Sequence, residues 1–160
     1  MANRSPIITR SGEGIAHDHT GGASSFTALS AAQNPGGVAV QMATMPVGSG
    51  PPFHRHPSFD EVFIVLEGEI EFQARDEVHT LGAGDLIFIP GEIPHAPRSV
   101  GGNAEGVAKA VMLVTPARFE NFFHELGVLL ESGEDHDAIA RLGGRYGIEF
   151  LDRPGVRVRH

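Results

Sequence analysis

The sequence predicts an all-β fold, a sandwich or barrel of short strands, followed by two C-terminal helices. Three observations carry this reading. Across residues 38–114, apolar runs are repeatedly interrupted by Gly and Pro, of which the 160-residue chain holds 21 and 11, the punctuation of a sandwich or barrel. From Pro116 onward the hydrophobic period lengthens from two residues to helical spacing. Internal repeats are absent, and the length suits one domain of roughly 100–200 residues.

Residues 1–25, rich in Gly, Ser and Thr, read as an extended arm. Val38 to Thr44 is a strand candidate, and Pro46 to Pro52 is a Gly/Pro loop. Strands are expected at 61–67, 69–75, 78–81, 85–90 and 105–114, each bounded by turn residues. Gly68, between an apolar run and the alternating Ile70, Phe72 and Ala74, reads as a hairpin turn with glycine free to take a positive φ. Along the strand that precedes it, Glu61, Phe63 and Val65 share one parity and are assigned to the interior. Ile64 and Leu66 share the other and are assigned to the exterior. In the tail, Phe119, Phe122, Phe123 and Leu126 recur at helical spacing, as do Ile139, Leu142 and Tyr146, with Asp135 placed to cap the second helix. The expected division is one domain over 1–160: arm 1–25, barrel core 36–115 and helical segment 116–160.

Composition narrows the partners. A formal net charge of −8 argues against nucleic acid or an anionic membrane surface. The absence of cysteine excludes disulfides, a thiol nucleophile and sulfur-rich metal sites. The N-terminal residues lack a signal-like apolar core, and no run approaches the ~20 apolar residues of a membrane span. A cytoplasmic location is the expectation.

Two blocks carry the chemistry. The first reads Gly48-Ser-Gly-Pro-Pro-Phe-His54-Arg-His56-Pro-Ser-Phe-Asp-Glu61, with Gly68 following, and the second reads Gly84-Asp-Leu-Ile-Phe-Ile-Pro90-Gly-Glu-Ile-Pro-His95. His54 and His56, two apart on a strand, point to one face. Glu61 lies an odd number of residues beyond His56, so a turn must intervene, and Pro57-Ser58 supplies it. His54, His56, Glu61 and His95 are thus a four-ligand candidate site for one divalent transition ion per chain: iron, nickel, cobalt, manganese or zinc. Four protein ligands on an octahedral ion leave two positions for substrate or oxygen. The pair His17 and His19 has no partner glutamate and reads as solvated. His79, His124 and His136 read as structural or exposed, and Glu67, Glu69 and Glu71 as a solvated strand face.

These blocks resemble the paired motifs of the cupin superfamily, a small jelly-roll β-barrel, the double-stranded β-helix. The first matches at Gly48, His54, His56, Glu61 and Gly68; the second matches at Gly84, Pro90 and His95. Two positions depart: Glu92 stands where glycine is usual, and Ser99 where asparagine is usual. Thr20 to Phe26, Pro51-Pro52-Phe53-His54, Asp60-Glu61-Val62-Phe63, and the tail segments Pro116 to Leu126 and Arg145 to Leu151 are similar to bacterial single-domain cupins of the quercetinase type, quercetin 2,3-dioxygenases. Against those, Ile64 replaces a frequent tyrosine and Phe59 a frequent glutamate. The resemblance implies a metal-dependent dioxygenase in which Glu61, a ligand, also takes the substrate hydroxyl proton.

A +2 ion beside one carboxylate retains about one positive charge. At ~4 Å and an effective dielectric near 20 this attracts an anion by on the order of 4 kcal/mol, enough to make a nearby enol or phenol markedly more acidic. The expected substrate is small and aromatic or enolisable, with Phe53, Phe63, Phe72 and Phe88 as candidate pocket walls. Two alternatives stand beside the dioxygenase: a non-redox cupin such as a polyketide-type cyclase or isomerase, and a catalytically silent binding cupin. The outward parity of Ile64 and Leu66, together with the way cupin-like chains pair, implies a homodimer.

Overall fold

The computed structural model describes residues 5–19, 22–34, 37–117, 120–133, 136–152 and 154. The strands are β1 (Ile15–Asp18), β2 (Ser24–Leu29), β3 (Ala39–Pro46), β4 (His54–Arg55), β5 (Asp60–Glu67), β6 (Glu69–Ala74), β7 (Glu77–Gly82), β8 (Leu86–Ile89), β9 (His95–Gly101), β10 (Val107–Thr115) and β11 (Glu149–Phe150). Helices α1 (Glu120–Ser132) and α2 (His136–Arg145) stand between β10 and β11. The strands form two antiparallel sheets in a jelly-roll arrangement: a six-stranded one ordered β1-β2-β3-β10-β5-β8 and a five-stranded one ordered β11-β4-β9-β6-β7. The predicted all-β barrel with two C-terminal helices is therefore the observed fold.

Parity along β5 behaves as the alternation requires. Glu61, Phe63 and Val65 are buried, whereas Ile64 is half-buried and Leu66 exposed. The inward residues of both sheets interlock with Ile70, Phe72, Ile89, Met45, Met112 and Val114 in one core. Phe122, Leu142 and Ile148 from the helical segment join that core, which is why the amphipathic tail folds back onto the barrel instead of standing free. Phe119 and Asp135 lie outside the described residues.

Two expectations are corrected, and one strand is added. Gly68 is not a hairpin turn: β5 pairs with β10 and β8, whereas β6 pairs with β7 and β9. The chain crosses between sheets at Gly68, which takes φ +74° and packs so tightly that a Cβ there would stand 2.4 Å from the Gly101 carbonyl oxygen. The arm expected over 1–25 is partly sheet, because β1 and β2 form a pair at the edge of the larger sheet. Their inward side chains are His17, Ser25 and Thr27, so no hydrophobic alternation marked them; hydrogen bonds hold that face together instead. Strand β9 was also unmarked, since His-Ala-Pro-Arg-Ser-Val-Gly has neither alternation nor a run of strand formers.

Candidate metal centre

The candidate ligand residues come from four places in the fold. β4 carries His54, the turn after it carries His56, β5 begins with Asp60-Glu61, and β9 opens with His95. His54 and His95 are register partners across β4 and β9. On the other sheet Glu61 lies beside Val114 of β10 and Ile89 of β8. The Pro57-Ser58 turn does what the odd spacing demanded: Phe59 N donates to the His56 carbonyl, reversing the chain so that Glu61 faces the histidines. Each of the four side chains is buried, and one ligand atom from each lies within 4.8 Å of all the others.

All three imidazoles are oriented the same way. His54 Nδ1 donates to the Pro52 carbonyl at 2.8 Å, His56 Nδ1 to that of Phe59 at 2.9 Å, and His95 Nδ1 to that of Ile93 at 3.0 Å. With the proton spent on the main chain, each Nε2 of a neutral ring presents a lone pair to the centre. Two of these stand against a carboxylate: His56 Nε2 at 3.0 Å and His95 Nε2 at 3.2 Å from Glu61 Oε2. His56 Nε2 approaches without the alignment of a hydrogen bond, and it has no other partner. Lone pairs facing a carboxylate at such distances repel unless a positive charge lies among them, either protons or a metal ion. Ligand atoms sharing one ion at ~2.1 Å sit at most ~4.2 Å apart, so the set closes on an ion with a few tenths of an ångström of movement per ligand. The residues fit a first-row divalent ion.

The electrostatics agree. Burial opposes ionisation of Glu61, but the close His56 and His95 imidazoles and their charge outweigh it and hold the carboxyl well below its ordinary range. Burial presses His56 toward the neutral form, and Glu61 more than reverses that. His54, pushed down to about 4 by burial and then by His95, stays neutral and available as a ligand.

Phe59 was noted in the sequence only as a departure. Its ring lies over His56 with centroids 4.1 Å apart and planes 12° from parallel. Phe150 was missed too: it is the register partner of His54 in the two-residue strand β11, too short to leave a pattern. Arg55, between the two ligand histidines, points outward and grips Glu149 through Nε at 2.8 Å and Nη2 at 2.7 Å, with Glu92 3.4 Å from Nη1. Glu92 itself takes φ +73° in the turn from Pro90 to Ile93, the conformation that makes glycine the usual occupant.

Of the four phenylalanines, Phe53 is buried immediately before His54, and Phe63 and Phe72 meet in the core at 5.0 Å. Phe88 does not belong with them. It pairs with Val62 on the outward parity of the larger sheet and is 52% exposed; the all-apolar Leu-Ile-Phe-Ile had concealed which face was which. His17 is likewise buried, not solvated, with its Nε2 3.0 Å from Thr27 Oγ1 under Phe123. His79 and His124 are exposed. Among the described residues the one cluster able to hold a metal is His54, His56, Glu61 and His95. No helix among them is long and apolar enough to cross a membrane.

Comparison with known proteins agrees with this geometry. Residues 41–112 match the family model described as Cupin domain. A 63-residue segment is 40% identical to the dimethylsulfoniopropionate lyase DddQ of Ruegeria pomeroyi, covering 39% of this chain and 31% of that protein. The chain spans less than half the length of the curated relatives it matches. Among solved structures, KdgF from Halomonas sp. superposes with a TM-score of 0.63 at 16% identity, over 73% of this chain and 99% of that one. The polyketide cyclase RemF of Streptomyces resistomycificus gives 0.59 at 16% identity, over 71% and 80%. At such identities the likeness is one of fold.

Proposed function

We propose that the chain, whose residues 41–112 match the Cupin domain model, is a metal-dependent enzyme of the cupin type acting on a small aromatic or enolisable substrate. One observation carries the proposal: three imidazole Nε2 atoms and one buried carboxylate converge on a point, each imidazole fixed by a main-chain acceptor. His54, His56, His95 and Glu61 would hold the ion. A divalent ion there supplies Lewis-acid charge that makes an adjacent enol or phenol more acidic. Glu61 is the group to take the proton, being ionised, buried and aimed at the same point. Phe53, Phe63 and Phe72 are the aromatic surface against which a planar substrate would lie, and their burial keeps water away.

The first reading of the overall reaction is a dioxygenase of the quercetinase type, for which the ligand set and the base are the supporting features. A second, non-redox reading (elimination, cyclisation or isomerisation) is favoured by the segment shared with a lyase. Both place the same residues in the same roles, so the test is chemical. Purified protein should carry close to one transition ion per chain, and His54→Ala and His95→Ala should lose most of it. Glu61→Gln should retain part of the metal and lose nearly all turnover on a panel of enols and flavonols followed with an oxygen electrode. Turnover without oxygen uptake would select the non-redox reading. Full metal retention by both histidine variants would sink the metal centre.

A further inference from the structure

The four ligands are unequally covered: His54 is 8% exposed and His95 0%. Access to the ligand set from outside thus runs along His54. On that side lies β11, where Phe150 is paired with His54 and its ring centroid is 6.2 Å from the imidazole. The ring also rests against α2 at Gly143, where a Cβ would stand 2.8 Å from Phe150 Cε2. The backbone around the ring is held from several directions. Ile148 N donates to the Gly143 carbonyl at 2.9 Å, Leu151 N to that of Phe53 at 2.9 Å, and Glu149 is gripped by Arg55. Ile148 is buried in the core, whereas Phe150 is only half-buried. A rigid frame therefore presents one partly free aromatic ring beside the most accessible ligand.

We propose that Phe150 is the gate of the metal centre: its ring, seated between His54 and Gly143, sets the size of the substrate that reaches the ion. This rests on the metal-dependent reading above. Residues 143–150 lie beyond the segment matched by the family model, so the gate belongs to the helical extension and can give a general ligand set its specificity. A short linear anion passes such a ring; a planar aromatic ligand must displace it. The glycine predicts a change of opposite sign to the obvious one, because adding a methyl at Gly143 pushes the ring toward His54.

Cobalt(II)-loaded protein, followed by its visible spectrum, tests this with two probes, azide and 4-nitrocatechol. Phe150→Ala should bind 4-nitrocatechol about tenfold more tightly, and Gly143→Ala about tenfold more weakly, while azide affinity stays within about twofold in both. Equal affinities for 4-nitrocatechol in all three proteins, or parallel changes for both probes, would overturn the gate and leave the metal centre standing. Failure of the unaltered protein to take up cobalt would overturn the metal centre and the gate together.

Discussion

Phe59 lies flat on His56, ring centroids 4.1 Å apart, and its carbonyl takes the His56 Nδ1 proton at 2.9 Å. One residue thereby fixes both the plane and the tautomer of a candidate ligand. The carbonyl survives any substitution at this position, so Phe59→Ala isolates the stacking. The variant should bind cobalt or zinc with an affinity lower by about 10–100-fold, the cost usual for a group that orients a ligand. Competitive titration against a chromophoric chelator measures it, and an unchanged affinity would show that the carbonyl alone orients the ring.

Glu92 holds φ +73°, where an L side chain costs about 1–2 kcal/mol. Its partner Arg55 is 3.4 Å away and both are exposed, so that contact adds little. Glu92→Gly removes the strain but gives the unfolded chain more freedom, which returns about 0.4–1 kcal/mol. The expected net gain is about 0.5–1 kcal/mol by chemical denaturation. Glu92→Ala, which keeps the strain, should show none; a gain as large in the alanine variant would assign the effect to charge.

The packing of α1 on β1 should weaken in acid. His19 is pushed down to about 4 by burial and then by His17, partly offset by Asp18; His17 is lowered by burial and then by His124. Both rings lie against Phe123 of α1, centroids 5.0 and 5.9 Å away. A folded value below the unfolded 6.5 means that the unfolded chain binds more protons between about pH 6.5 and 4. Stability therefore falls as pH drops through that window and gains nothing further above it. His54 pulls in the same direction, so the informative comparison is between proteins. The loss of Tm from pH 7 to pH 5 should be smaller in His19→Asn than in the unaltered chain; identical losses would place the acid sensitivity elsewhere.

Association is expected through the outer face of the larger sheet. Leu66, Leu86 and Phe88 are exposed there, 42%, 56% and 52%, and a groove of about 490 Å³ runs between residues 9–11 and Phe26, Met42 and Leu66. A second copy on a two-fold axis would bury all of these at once. Light scattering should give about twice the chain mass of 17.0 kDa, and Phe88→Glu should return it to one. A single-chain mass across a wide concentration range would overturn the dimer.

Some of this was legible before any coordinates. The convergence of His54, His56, Glu61 and His95 could be read because a metal-ligand pattern leaves a chemical mark at fixed spacing, and Pro57-Ser58 explained how an odd offset still converges. The inward face of β5 was legible because period two is a local property of the chain. The helical tail was legible from its change of period. Two of the misreadings share one cause. Which strand lies beside which is set by contacts distant in sequence, so Gly68 looked like a hairpin turn although its flanking strands belong to different sheets. Phe88 acquired a face only through its register with Val62, and β1 and β2 were hidden because hydrogen-bonded polar residues fill their inner side. The sequence by itself determined the candidate ligand set, the alternation and the barrel class, each encoded within a few neighbouring residues. Only the tertiary structure decided that Phe59 stacks on His56 and that Phe150, nearly one hundred residues from His54, lies beside it, since nothing short of the folded chain brings those rings together.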